Sequence, residues 1–213
     1  MNWRHLFSRR SARLTGELRA RIRASFDRAA GDEVHFPATI DPRIYHVQLL
    51  MEYFGGLDGK RVLDVGCGKG RFARVLQEHY PQSRIVGFDL AEAMLRYVPA
   101  GVCACAGSMT ALPFLSESFD CAYATESLEH AVDIDTAVRE MCRVVKPGGR
   151  IAIIDKNVEQ WGKLPTPRWE KWFDRKQLER LLAQHCSQVS SREISYWADV
   201  APDGLFLAWL AEK

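Results

Sequence analysis

The chain has 213 residues, 47% of them hydrophobic, enough for one well-packed domain and too few for two ordinary ones. A formal charge of +2 excludes a surface built throughout to bind polyanions, although the charge is unevenly spread. No apolar run reaches the ~18 residues of a membrane span, and the N-terminus lacks the apolar core and small-residue cleavage site of a leader, so a cytoplasmic location is expected.

Residues 1–30 form a compositional zone of their own, the basic part of an N-terminal segment and link that runs to residue 40. Arg4, Arg9, Arg10, Arg13, Arg19, Arg21, Arg23 and Arg28 face only Glu17 and Asp27, while Leu14, Leu18, Ile22 and Phe26 recur every four residues. A helix there sets an apolar stripe against an arginine face. Two readings stand: a surface helix packed on the domain with solvated charges, or contact with an anionic membrane, a nucleic acid or a phosphorylated substrate. Gly31 to Pro42 is a link, and Ile44 to Phe54 reads as a helix in which Tyr45 and His46 serve either packing or the site.

Arg61 to Gly70, RVLDVGCGKG, is the stretch around which the domain is organised. Val62, Leu63 and Val65 predict a buried parallel strand that breaks into Gly66, Gly68 and Gly70, with Cys67 between the first two. Such a turn lets the backbone approach a ligand and opens onto the free N–H groups of the next helix. Asp64, a carboxylate inside the strand, needs donors: the loop N–H groups or a cationic part of the ligand. A dinucleotide site wants G-x-G-x-x-G, and Arg71 stands where its last glycine should be, which disfavours NAD. The observed spacing, with Asp two residues before the first glycine, resembles the first motif of class I S-adenosylmethionine-dependent methyltransferases.

The rest of the chain extends the resemblance. A helix through Phe72, Val75 and Leu76 precedes a second strand, Arg84 to Leu90. Asp89 ends it about twenty residues beyond the loop, the offset at which a carboxylate takes ribose hydroxyls, with Leu90 available to the adenine. Val102 to Met109 predicts a third strand. GSMTALPF there resembles the family's G-D-x-x-x-L-P-F, with Ser108 in place of the acidic residue that meets adenine, and Met109 beside it. The fourth strand, within Ser118 to Leu128, ends near Thr125 and Glu126 and leads to Glu129-His130; SFD-to-LEH is a second point of resemblance. RVVKPGGRIAIID supplies a helix end, a turn and a fifth strand, Arg150 to Asp155, with Lys156 next to it. Residues 157–173 place Trp161, Trp169 and Trp172 among prolines and basic residues, a composition that suits an acceptor pocket or packing equally. Asp174 can cap a last helix, and Val189 to Tyr196 with Leu205 to Leu210 predict a closing antiparallel pair.

The resemblance implies an α/β fold: a doubly wound, seven-stranded, mostly parallel sheet with a C-terminal antiparallel hairpin, over residues 41–213, preceded by the N-terminal helix. It implies a methyltransferase using S-adenosyl-L-methionine and releasing S-adenosyl-L-homocysteine. Asp64, Gly66, Cys67, Gly68, Gly70, Asp89, Leu90, Ser108, Met109 and Thr125 are the expected cofactor contacts. His130 and Asp155 are the candidate bases, each with a bland alternative: a backbone hydrogen bond for His130, a helix cap for Asp155. The expected acceptor is a small molecule, methylated at oxygen; a quinone, lipid or RNA acceptor and a non-catalytic binder of the same fold are the alternatives. Six cysteines without a C-x-x-C pair or nearby histidine spacing predict reduced core thiols and no metal site.

Overall fold

The computed structural model describes the backbone of residues 3–213 and side chains from residue 15 onward. The expected stripe and arginine face at Leu14, Arg4, Arg9, Arg10 and Arg13 therefore lie outside the described side chains.

Strand β1 (Arg61–Val65) is buried beyond its first residue because β2 (Arg84–Asp89) and β4 (Phe119–Thr125) pair with it in parallel on its two sides. With β3 (Cys103–Ala106), β5 (Val145–Lys156), β6 (Gln188–Ile194) and β7 (Phe206–Glu212) they form one seven-stranded sheet, ordered β3-β2-β1-β4-β5-β7-β6. β1 to β5 are parallel, and β7 runs antiparallel to both β5 and β6. The expected sheet and closing hairpin are those observed.

The apolar faces of the helices cover both sides, as parallel strands require. One face buries Val62, Tyr123 and Ile154 under Leu49, Leu50 and Phe54 of α2 (Tyr45–Phe54) and Phe72 and Leu76 of α3 (Arg71–His79). The other buries Leu63, Val65 and Ile153 under Ala137, Val138 and Met141 of α5 (Ile134–Val144) and Leu178 and Leu182 of α6 (Arg175–Leu182). Asp133 and Asp174 cap those last two helices through the N–H groups of Thr136 and Gln177. A short α4 (Glu92–Leu95) has too few residues to leave a periodic signal in the sequence. Strand β5 starts at Val145, ahead of the Pro147-Gly148-Gly149 turn expected to precede it, and its register against β4 shifts between Phe119 and Cys121. Of the cysteines expected in the core, Cys103 is exposed, because β3 is the sheet's edge strand.

Helix α1 (Trp3–Ala29) lies against α4: Ile22 is buried, Arg23 pairs with Glu92 at 2.9 Å, and Asp27 accepts the Ala93 N–H at 3.0 Å. Arg19, Arg21, Arg23 and Arg28 are exposed. Among the described residues, no helix is long and apolar enough to cross a membrane.

The turn out of β1 has no room for a side chain. Gly66 adopts φ 76°, and a Cβ there would sit 2.4 Å from Ser127 Cβ, whose hydroxyl is tied to the Val65 carbonyl at 2.7 Å. Gly66→Ala is therefore expected to cost about 2–4 kcal/mol from strain and overlap, read as a lowered urea midpoint; an unchanged midpoint would show that Ser127 yields freely.

Candidate active site

At the carboxyl ends of β1, β2 and β4 lies a cavity of about 400 Å³. This is the usual ligand position in a doubly wound sheet and within the size range of a cofactor pocket. Every expected cofactor contact except Gly70 lines it: Asp64, Gly66, Cys67, Gly68, Asp89, Leu90, Ser108, Met109 and Thr125. Gly70 instead precedes α3 at φ 75°, where a Cβ would press Pro99 at 3.1 Å.

Asp89 holds the loop. Its Oδ2 accepts the Gly68 N–H and its Oδ1 the Ala91 N–H, both at 2.8 Å. The loop-capping role considered for Asp64 thus falls to Asp89. Asp64 is buried, accepts the Tyr123 hydroxyl at 2.8 Å, and is pushed up to about 7 by burial, against which Tyr123 works. No atom lies within 4 Å of where a Gly68 Cβ would point. The Ser108 hydroxyl meets that of Thr110 at 2.8 Å, keeping polar atoms where the family's acidic residue is absent.

Two contacts in this half have no signal in the sequence. Lys69, buried within the loop, donates to the Asp32 carbonyl and the Glu33 carboxylate and lies 4.6 Å from the centre of the Tyr97 ring, so it fastens the link to the glycine turn. Arg71 pairs with Glu126 at 3.1 Å, across the end of β4, and Glu126 has φ 51°. A non-glycine residue in the left-handed region is a local strain of the sort that collects at sites.

The other half of the cavity is walled by Ile22, Phe26 and Phe36 from α1 and the link, and by His130, Pro167 and Trp169. That the segment before β1 folds over the site is what the resemblance implies, whereas nothing in the residues of α1 says where that helix packs. Phe26 meets the His130 ring edge-on at 4.9 Å. Beneath them Lys156 bonds both oxygens of Glu129, at 2.6 and 2.7 Å, and lies 3.3 Å from Glu170. Burial lowers Lys156, but the carboxylates of Glu129, Asp155 and Glu170 outweigh it and hold the ammonium above its ordinary value. Burial, then Lys156 and Lys171, push His130 down to about 3, leaving a neutral imidazole. His130 Nε2 is 3.4 Å from Glu129 Oε1, whereas Nδ1 is buried without a partner, as are Thr125 Oγ1 and Trp169 Nε1.

Asp155 is placed otherwise than expected. It is fully buried, does not line the cavity, and accepts the backbone N–H groups of Glu129 at 3.1 Å and Lys156 at 2.9 Å. Burial pushes its carboxyl up to about 6, and it works as a brace for the Glu129-His130 turn. His46 also stands away from the cavity, in the core against Tyr196 and Phe206. Glu129, His130 and Glu170 bring one ligand atom each within 4.8 Å of one another, a grouping absent from the expected spacing. The Lys156 ammonium already spans the two glutamates, which leaves the set poorly disposed to take a cation.

Residues 63–153 match the family described as a methyltransferase domain, a segment that contains the glycine loop, Asp89 and His130. The match is to that segment of the chain, which is similar to this methyltransferase domain family. The chain is 35% identical to the malonyl-[acyl-carrier protein] O-methyltransferase of Methylococcus capsulatus over 43% of this chain and 36% of that protein. It is 30% identical to the 2-methyl-6-phytyl-1,4-hydroquinone methyltransferase of Synechocystis over 70% of this chain and 52% of that protein. The chain thus spans about half the length, or less, of these curated relatives. Among solved structures, the complex of the Haloferax volcanii Trm112 methyltransferase activator with a candidate methyltransferase superposes with a TM-score of 0.70 at 17% identity, covering 88% of this chain and 96% of that one. At that identity the likeness concerns the fold alone.

The residues lining this cavity fit S-adenosylmethionine, the cofactor implied by the resemblance. The open face at Gly68 leaves room for a ligand against the loop, the buried Asp64 lacks a cationic partner within hydrogen-bond distance, and Asp89 keeps acceptor capacity beyond its two backbone bonds.

Proposed function

We propose that this protein methylates a small-molecule acceptor at oxygen, using S-adenosylmethionine. The observation that carries the choice of oxygen is His130: a neutral imidazole in the cavity wall whose Nδ1 has no partner, and so can accept the proton of a hydroxyl. When bound, S-adenosylmethionine supplies a methyl group on a positively charged sulfur, which keeps the sulfur–carbon electron pair as the acceptor oxygen takes the carbon.

The chain's own groups do the rest. Asp89 takes the ribose hydroxyls while still holding the loop, Asp64 faces the ammonium of the methionyl part, and Gly66, Cys67 and Gly68 admit it closely. Leu90, Met94, Ser108 and Met109 wall the adenine, and Thr125 lies between cofactor and acceptor. His130 takes the acceptor proton at Nδ1 as the new bond forms, against burial and the nearby Lys156 and Lys171, which oppose the imidazolium. Asp155 positions that turn through the Glu129 N–H. Residues 1–40 are assigned to the acceptor side rather than to a separate unit, because Ile22, Phe26 and Phe36 wall the same cavity.

The test is transfer of labelled methyl from S-adenosylmethionine to a panel of phenols, amines and thiols. Label on phenol oxygen is expected, with His130→Ala slowing turnover ~10²–10⁴-fold while S-adenosylhomocysteine binding is kept. Label on nitrogen or sulfur alone would contradict the assignment to oxygen, and binding without transfer to any of them would favour a non-catalytic binder.

A further inference from the structure

Within the reading of this cavity as a methyl-transfer site, the acceptor half carries information about its ligand that no motif holds. Two of its lining side chains keep a buried polar atom without any partner among the described residues, His130 Nδ1 and Trp169 Nε1, and a third, Thr125 Oγ1, lies at the border with the cofactor half. Buried polar groups are almost always hydrogen-bonded, so each such atom asks for a ligand atom of the opposite kind. The indole nitrogen can only donate. For the imidazole, Nε2 lies 3.4 Å from Glu129 Oε1, and the tautomer with its proton on Nε2 leaves Nδ1 a bare acceptor. The wall thus presents one donor and one acceptor, side chains of two different segments, with Phe26, Phe36 and Pro167 supplying apolar surface around them.

We propose that His130 and Trp169 form an acceptor subsite selective for a neutral hydroxyl on an apolar, ring-bearing molecule: a phenol or an enol. A hydroxyl-bearing ring satisfies both atoms, its hydroxyl donating to Nδ1 and an oxygen of the same molecule accepting from Nε1–H. A carboxylate or phosphate satisfies Trp169 but has no proton to offer Nδ1, and the Lys156 ammonium in the same wall is already held by Glu129 and Glu170. An ammonium satisfies His130 and leaves the indole N–H unpaired, which costs discrimination of the kind that hydrogen-bonding sites exert against ligands lacking the matching group. Trp169 is thereby a specificity residue. It belongs to the irregular segment after β5, and its neighbour Glu170 is anchored by Lys156 and by Trp172 Nε1 at 2.9 Å, so the indole is carried on a fixed turn.

The experiment is calorimetry on the full chain saturated with S-adenosylhomocysteine, titrated with naphthol, naphthoate and naphthylmethylamine, for the wild type, Trp169→Phe and His130→Ala. S-adenosylhomocysteine affinity is measured on every variant first; its loss in the wild type would sink the methyltransferase reading itself, and this subsite with it. Expected are naphthol binding at least tenfold tighter than either charged analogue, weakening about tenfold in Trp169→Phe, and cofactor-product affinity unchanged in both variants. The tenfold loss is that of one hydrogen bond with a buried partner. Preference for the carboxylate or the amine, no binding of any of the three, or a Trp169→Phe variant that binds naphthol as the wild type does, would overturn the proposal.

Discussion

Asp89→Ala is expected to weaken S-adenosylhomocysteine binding by about a hundredfold or more, with the protein still folded. Two losses combine. The ribose hydroxyls lose a charged acceptor, and hydrogen bonds to charged groups are worth ~1.5–3 kcal/mol each. The glycine loop also loses its tether, since Asp89 is the acceptor for the Gly68 N–H, so the backbone that must lie against the ligand is no longer held in place. A hundredfold change is about 2.7 kcal/mol, close to one such bond, so it stands as a lower bound. Asp89→Asn loses the charge and keeps one acceptor oxygen, enough for the Gly68 N–H but not for the Ala91 N–H as well, and should fall between. Calorimetry on the three proteins checks this, and equal affinities would remove Asp89 from the site.

The second large effect is a pH dependence of cofactor affinity set by Asp64. Burial raises its carboxyl from the ordinary 3.8 to about 7, so the folded, empty protein favours the protonated form. This group's contribution to stability is therefore fully present below about pH 4 and is lost as pH rises through about 7. At most that is about 4 kcal/mol, three pH units at ~1.4 kcal/mol each. A ligand ammonium placed at Asp64 needs the ionised form, so affinity should rise about tenfold per pH unit below 7 and level off above it. Asp64→Asn should flatten that profile, bind more weakly at neutral pH, and give an empty protein whose stability no longer falls between pH 4 and 7. A wild-type affinity independent of pH from 5 to 8 would mean that Asp64 does not meet the cation.

The sheet and its cofactor half were legible because they rest on local rules. A strand buried on both faces is a continuous apolar run, a close turn needs glycine, and a carboxylate at a strand end is conspicuous among valines and isoleucines. Asp64 was visible as an anomaly, but not its partner: Tyr123 lies on β4, and only pairing β4 with β1 brings the two together. The acceptor half was less legible for the same reason. Lys156, Glu129 and Glu170 are far apart in sequence and meet only when the segment after β5 folds back. Asp155 read as a ligand contact by its strand-end position, yet the backbone N–H of Glu129 claims it. Lys69 occupies a variable place in the glycine motif, and its role exists only because residues 32 and 33 arrive beside it.

The most direct test of the account is a calorimetric titration of the unmodified protein with S-adenosylhomocysteine and, separately, with NAD. One-site binding of the first in the micromolar range and none of the second is the predicted result. Binding of NAD, or no heat with S-adenosylhomocysteine at any pH from 6 to 8, would contradict the assignment of this cavity.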